Sequence, residues 1–360
     1  MKQPATGIVA ALVVIAISLG FISFFSFGTF TGWVAYFIQC MIPMQIIIGV
    51  TWGSNQPSFA QKAQPLKGLI LIFLSVLSGI VVAYTLWATV GGRVSPPTPM
   101  PIMFTIASVL TTFWLAIMFG GWPFTSIFKN PVAAGLAVWV AAYAITYLIY
   151  RIGYDFAFLK GAPIYVPELD PHGAFNAWNI TVWYITTVGI LFLLLHFDLW
   201  PFTLSGSIMK QPTLGIVWTI VAAIIGTAAY SLGVTTLHMD VVAFMITVPI
   251  PFIFGTIIVL NMLQGSMFAS MKQPLKGIMN AAAAMIVGSL LAWAYASISK
   301  YTTGTLHAGP PPYELEIWTA SALLGVTFPF LIFSAEFFRL WPFHRPQVEA
   351  QAKAQATSQA

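Results

Sequence analysis

Long apolar runs alternate with short polar segments along the chain as far as residue 344. An α-helix needs about 20 predominantly apolar residues to cross the hydrocarbon core of a bilayer. Runs of about this length or longer recur ten times, so the pattern predicts an all-α polytopic membrane protein with about ten transmembrane helices. The predicted spans are residues 7–30, 33–53, 68–90, 101–121, 132–150, 177–197, 213–236, 241–263, 277–299 and 317–338.

Composition agrees with a membrane protein and argues against a soluble domain. Of the 360 residues, 59% are hydrophobic and 6% are charged, whereas about a quarter of a typical soluble domain is charged. The first apolar run lacks a small-residue cleavage site after a short core, so we interpret it as a retained span and not as a signal peptide. The single cysteine, Cys40, rules out an intrachain disulfide and a cysteine-based metal cluster.

Lysine and arginine fall mainly on one side of the predicted membrane. An even number of spans places both termini on the same side, and positive charge is enriched in cytoplasmic loops. We therefore expect both termini in the cytoplasm, in a bacterial inner (cytoplasmic) membrane. This distribution accounts for the net charge of +5 without nucleic acid as a partner. Ten of the fourteen cationic residues lie on the terminal side: Lys2, Lys62, Lys67, Lys129, Lys210, Lys272, Lys276, Arg339, Arg345 and Lys353.

A short Pro–Gly motif precedes every second span. Proline suits the first turn of a helix, and glycine allows a neighbouring helix to approach closely. A second motif, Trp-Pro-Phe, follows three of the intervening spans, where aromatic residues typically mark the membrane interface. The first motif reads QPATG (3–7), QPLKG (64–68), NPVAAG (130–135), QPTLG (211–215) and QPLKG (273–277); the second occupies 122–124, 200–202 and 341–343.

The two motifs together predict five parallel two-helix repeats in a single transmembrane domain, residues 1–344. The alanine- and glutamine-rich segment 345–360 is predicted to be a disordered cytoplasmic tail. Prolines inside three of the spans are expected to kink their helices or to shape a cavity. The repeat units are 1–62, 63–128, 129–208, 209–270 and 271–344, and the prolines are Pro43, Pro249 with Pro251, and Pro329.

Only two ionisable side chains, His196 and Glu336, lie inside predicted spans, about one turn from the cytoplasmic end. Ionisable residues at such depth usually face a bundle interior or a wet cavity, although long side chains near a helix end also reach the interface. When the repeats are aligned, Met118 and Asn261 occupy positions equivalent to His196. These four residues are the candidates for substrate binding or coupling.

The loops opposite the termini carry three histidines beside carboxylates. Imidazole and carboxylate together form a common ligand set for transition metals, so a metal on the outer face is one hypothesis. The alternative is that these are ordinary solvated loop residues, because their spacing matches no local metal motif. The candidate ligands are His172, His238, His307, Asp170, Asp240, Glu314 and Glu316.

The sequence indicates architecture more directly than activity. Our leading hypothesis is a transporter or channel-like permease for a small neutral or weakly polar solute, because intramembrane charge is sparse. The alternative is a membrane-embedded metalloenzyme, or the membrane subunit of an oxidoreductase complex, with a His/carboxylate site on the outer face. The sequence leaves open whether the protein is an enzyme and whether it forms an oligomer or a larger membrane complex. The lipid bilayer is its expected surrounding.

Overall fold

The computed structural model describes residues 2–53 and 55–344, and the predicted tail lies outside these ranges. Ten helices in the described part of the chain are long and apolar enough to cross a membrane, which confirms the prediction of a multi-span helical membrane protein. We number them α1 to α10: Ala5–Ile22, Phe27–Trp52, Leu66–Ala88, Pro99–Met118, Pro131–Gly153, Ala177–His196, Thr213–Thr236, Val241–Met262, Leu275–Thr302 and Glu314–Phe337.

The first turn of the chain lies earlier than predicted. Hydropathy placed span 1 at 7–30, whereas α1 ends at Ile22 and α2 begins at Phe27. The connection is rich in phenylalanine, so hydropathy does not fall across it. Ser26 marks the true boundary, because its hydroxyl oxygen accepts a hydrogen bond from the Thr29 N–H at the start of α2.

Two short strands accompany the helices. Tyr154–Asp155 (β1) follows α5 directly, and Phe175–Asn176 (β2) leads into α6. The strands pair in parallel, with Tyr154 opposite Phe175 and Asp155 opposite Asn176. This pairing anchors both ends of the long connection between α5 and α6.

Even- and odd-numbered helices differ sharply in burial. Within the most apolar 18-residue segment of each helix, 61–67% of the residues are buried in the even-numbered helices and 22–33% in the odd-numbered ones. The even-numbered helices form a closed ring, in which α2 packs against α4 and α10, and α6 and α8 complete the circle. Each odd-numbered helix lies outside, in the groove between two ring helices. The ring therefore forms the core and the odd-numbered helices form its outer layer.

Small buried residues let the outer helices approach the ring. A side chain added at Gly288 of α9 would overlap the backbone of Pro251 in α8, and one added at Gly226 of α7 would overlap Thr187 in α6. Close backbone approach of this kind replaces the hydrophobic effect as the source of helix association in lipid. The corresponding positions of the other outer helices are also small and buried: Ser18, Gly79 and Thr146.

The glutamine of the Pro–Gly motif joins the two layers. Just before α3, the side-chain oxygen of Gln64 accepts a hydrogen bond from the Gly68 N–H, and its side-chain nitrogen donates to the Phe337 carbonyl at the end of α10. The last carbonyls of a helix have no partner within it, so this contact satisfies a group that burial would otherwise penalise. The same arrangement links Gln3 to Met262, Gln211 to Met118 and Gln273 to His196.

The predicted prolines lie near departures from regular α-helical geometry in three ring helices, and one of these helices breaks. Helix α8 breaks at Val248, immediately before Pro249, where φ is −120° and ψ is −77°. Pro43 lies within α2, which continues as a wide π-helical turn from Ile47 to Trp52. Pro329 of α10 likewise lies between two π-helical segments. Such turns leave the regular hydrogen-bond ladder and are frequent at functional sites.

Candidate functional site in the ring of even-numbered helices

Two cavities lie along the inside of the ring. The distal cavity, about 460 Å³, is lined by the first halves of the ring helices and by the loops at the end opposite the chain termini. The proximal cavity, about 430 Å³, is lined by the last turns of the same helices, where the described chain begins and ends. Both volumes are in the range of small-molecule pockets, about 300–1,000 Å³.

Three phenylalanines separate the two cavities. Phe113 of α4, Phe192 of α6 and Phe328 of α10 line both of them. The Phe113 ring contacts that of Phe192 edge to face with 5.1 Å between centroids, and that of Phe328 at 6.1 Å. All three side chains are buried, so they form a constriction between the cavities.

The proximal cavity contains a carboxylate and several neutral polar groups. The side-chain nitrogen of Asn261 in α8 donates a hydrogen bond of 2.8 Å to Glu336 of α10. Gln45 of α2 and Thr256 of α8 line the same cavity. Gln45 is only 1% exposed, and neither its side-chain oxygen nor its nitrogen bonds to another described group. The structure thus brings together Glu336 and Asn261, two of the four candidate residues, from different helices. The glutamine contacts make Met262, and not Asn261, the equivalent of His196.

His196 lies behind this cavity and does not line it. Its Nε2 is 2.9 Å from the hydroxyl of Thr256, and its ring packs against Phe252. Its Nδ1 is buried and has no hydrogen-bond partner among the described residues. His196 therefore reaches the cavity only through Thr256, so it is a neighbour of the site and not part of its wall.

Met118 lies outside both cavities. Its carbonyl accepts the hydrogen bond from Gln211, and its sulfur accepts a contact of 3.6 Å from the Thr219 hydroxyl in α7. The side chain is fully buried between α4 and α7. These contacts assign Met118 to packing between the two layers.

The distal cavity is more uniformly apolar. Its main polar group is Gln39 of α2, whose side-chain oxygen accepts a hydrogen bond of 2.8 Å from Thr105 of α4. Pro96, Ile164 and Pro312 from three separate loops line its outer end. Unlike Gln45 in the proximal cavity, Gln39 already has a partner within the protein.

A larger hollow of about 1,000 Å³ lies on the side of the bundle. It runs between α1 and α3 and is floored by α2 and α10. Its wall is almost entirely apolar, and it carries no ionisable side chain. Because it faces outward from the ring and offers no chemistry, we place the candidate site in the axial cavities.

The three distal histidines do not share a site. Among the described residues, a single group of three ligand-bearing side chains comes within metal-binding distance, and it contains one histidine: Asp155, Asp170 and His172. His307 instead lies 2.9 Å from Glu314 through its Nδ1. His238, in the α7–α8 connection, belongs to neither cluster.

The candidate acidic ligands are largely engaged in local structure. Asp170 accepts hydrogen bonds from the backbone N–H groups of Phe156 and His172 and from the Tyr165 hydroxyl. Asp240 caps the start of α8 and accepts a hydrogen bond from the Tyr313 hydroxyl. Burial, together with that hydrogen bond, raises the pKa of Tyr313 to about 12. Glu316 accepts a hydrogen bond from the Gly309 N–H.

Comparison with protein families, curated proteins and solved structures found no match to this chain.

Proposed function

We propose that this protein is a transporter or channel-like permease that carries a small, weakly polar solute along the axis of the five-helix ring. The observation that carries the proposal is the pair of cavities inside the ring that share Phe113, Phe192 and Phe328 as lining residues. A solute in either cavity would have to displace these side chains before it could enter the other. Hydrophobic constrictions of this kind gate channels.

The glutamine contacts support the five parallel two-helix repeats. The outer helix of unit 1 bonds to the ring helix of unit 4 through Gln3, and that of unit 2 bonds to unit 5 through Gln64. Units 4 and 5 bond to units 2 and 3 in the same way, through Gln211 and Gln273. In unit 3 the equivalent contact is from Trp52 of unit 1 to the Val132 carbonyl. Every unit is therefore hydrogen-bonded to the unit two places before it around the ring.

The charge distribution indicates how this pathway is oriented in the membrane. With ten cationic residues on the terminal side, both termini are placed in the cytoplasm by the positive-inside rule. The proximal cavity, with Glu336 and Asn261, would then open to the cytoplasm. The distal cavity would open to the outside of the membrane.

The test is solute flux into proteoliposomes that contain the purified protein. Gly49 of α2 lines the proximal cavity, where an added Cβ would be 3.7 Å from Glu336 Cγ. We expect wild-type vesicles to admit a subset of small solutes faster than protein-free vesicles, and Gly49→Trp to block that flux by filling the cavity. The matched control is Gly20→Trp, since Gly20 is exposed on α1 with open space around it. Flux equal to that of protein-free vesicles for every solute would refute the proposal.

The cluster of Asp155, Asp170 and His172 favours a second candidate, a metal site of an enzyme or oxidoreductase subunit on the distal face. His172 is largely exposed and lies 3.5 Å from Asp170 and 4.0 Å from Asp155. A bound metal would have to compete with the three hydrogen bonds that Asp170 already accepts. Elemental analysis decides: a stoichiometric transition metal that disappears in His172→Ala would support this candidate, and metal-free wild-type protein would refute it.

A further inference from the structure

The carboxylate of Glu336 has no cationic partner in the proximal cavity. Its hydrogen-bond donor is the neutral side chain of Asn261. Among residues 2–53 and 55–344, no lysine, arginine or histidine lies within ion-pair distance of it. A carboxylate beside an apolar cavity is costly unless an opposite charge or a proton accompanies it. The cavity therefore has an electrostatic preference that its protein atoms leave unsatisfied.

The rest of the cavity wall favours an organic cation over a metal ion. Phe113, Phe192 and Phe328 line its inner end, and aliphatic side chains cover most of the remainder. Aromatic faces attract cations, whereas apolar walls cannot replace the water shell of a metal ion. Gln45 and Thr256 add neutral polar groups on the lining. The combination fits a positively charged nitrogen with small apolar substituents.

We infer that the proximal cavity is a binding site for small organic monocations, such as quaternary ammonium compounds, with Glu336 as the counter-charge and the phenylalanine constriction as an aromatic wall. This inference rests on the proposed function, because it names the solute class that the axial pathway would carry. It replaces the expectation of a neutral or weakly polar solute with that of a solute with a positive charge and an apolar body. The cavity of about 430 Å³ is large enough for a choline-sized ligand.

The experiment measures binding of radiolabelled choline to the purified full-length protein in detergent. Its neutral counterpart is 3,3-dimethylbutan-1-ol, which has the same shape with carbon in place of the charged nitrogen. We expect saturable choline binding that unlabelled tetraethylammonium displaces and that the neutral alcohol does not. In Glu336→Gln, choline binding should weaken by about tenfold or more. The matched control, Glu168→Gln, changes an exposed glutamate of the α5–α6 connection and should bind as the wild type does.

Two outcomes would overturn the inference. One is wild-type protein that binds the alcohol as tightly as it binds choline, and the other is folded Glu336→Gln that binds choline as tightly as the wild type does. The substitution preserves an acceptor for Asn261, so we expect it to fold, and size-exclusion chromatography checks this. Should it aggregate, the wild-type comparison of choline with the alcohol still decides. A third variant, Phe113→Leu, keeps an apolar side chain but removes the ring, and should weaken binding by about two- to fivefold.

The binding experiment and the flux experiment can fail independently of each other. Choline binding without flux of any solute would contradict the permease and leave the cation site standing. Flux of neutral solutes through a protein that binds no cation would support the permease and refute the cation site.

Discussion

The two axial cavities are nearly equal in volume, about 460 and 430 Å³, yet their polar groups differ in whether they have hydrogen-bond partners within the protein. In the distal cavity, Gln39 of α2 is held by Thr105 of the neighbouring helix α4. In the proximal cavity, Gln45 has no partner in the described structure, and the carboxylate of Glu336 has only Asn261. A folded core normally satisfies its buried polar groups. The polar groups of the distal cavity therefore serve the fold, whereas those of the proximal cavity remain available to a ligand.

The constriction is what keeps the two cavities distinct, and removing it should give the largest effect. Phe113 contacts both Phe192 and Phe328, so Phe113→Ala would merge the cavities. We expect solute flux in proteoliposomes to rise by about tenfold, which corresponds to ~1.4 kcal/mol of barrier. Thermal unfolding should show a loss of about 3 kcal/mol, the lower end for a buried phenylalanine, because the site already borders empty space.

The control for this variant is Phe73→Ala. Phe73 is a phenylalanine of α3 that is 63% exposed on the outer surface, so it contributes to neither cavity. It should leave flux unchanged. If Phe113→Ala reduced flux or left it at the wild-type rate, the three phenylalanines would not be the barrier between the cavities.

The two glutamines of α2 provide a matched pair for the next prediction. Gln39→Leu removes a satisfied hydrogen bond and leaves the Thr105 hydroxyl without this acceptor, so we expect a loss of about 1 kcal/mol in the free energy of unfolding. Gln45→Leu removes a buried group with no partner, so the protein should gain stability, by up to about 1 kcal/mol. The same Gln45 variant should bind choline more weakly, as expected where a site sacrifices stability for function.

Melting curves followed by tryptophan fluorescence, together with choline binding, measure both effects. A Gln45→Leu variant that is less stable than Gln39→Leu would mean that the glutamine at position 45 serves the fold. The contrast between the two cavities would then lose its physical basis.

The sequence predicts much of this architecture because lipid limits what a spanning segment can be. Ten apolar runs yielded ten helices, and the prolines of α8 correctly marked its break at Val248. The turn at 23–26 escaped prediction because hydropathy does not detect an aromatic turn. The glutamine of the Pro–Gly motif was also missed as a contact, since its partner carbonyls lie 77–273 positions away along the chain.

The site was predicted only in part, for a related reason. Glu336 and Asn261 stood out because charged and amide groups are rare in apolar runs, and the repeat alignment placed both near the same end. The alignment could not show that His196 lies behind Thr256. Whether a side chain faces the cavity depends on the rotation of its helix about its own axis, which an alignment does not give. Gln45 carried the same signal as Asn261, a polar side chain within an apolar run, but it was not among the positions that the repeat alignment compared. Phe113, Phe192 and Phe328 gave no signal at all among 29 phenylalanines.

The contact between α9 and the end of α6 offers the smallest effect, one that depends on pH. Asp198, just after α6, accepts hydrogen bonds from Lys276 and Gln273 at 2.7 and 2.8 Å. Partial burial alone would raise the pKa of Asp198, but these two donors outweigh it and hold the pKa below its usual value. A carboxylate with a depressed pKa stabilises the fold above the unfolded value, about 4, and loses that contribution as the pH falls through the folded value.

We therefore expect the melting temperature of the wild type to fall more steeply below about pH 4 than that of Asp198→Asn. The difference should be less than about 1 kcal/mol, because the pair is partly exposed to solvent and screened by salt. Lys276→Gln should flatten the same part of the curve, since it removes the strongest donor, and high salt should reduce the wild-type slope. Asp155→Asn, a change at the distal end, serves as the control. If Asp198→Asn and the wild type lost stability in parallel, the contact between α9 and the end of α6 would depend only on the hydrogen bond from the Gln273 side chain to the His196 carbonyl.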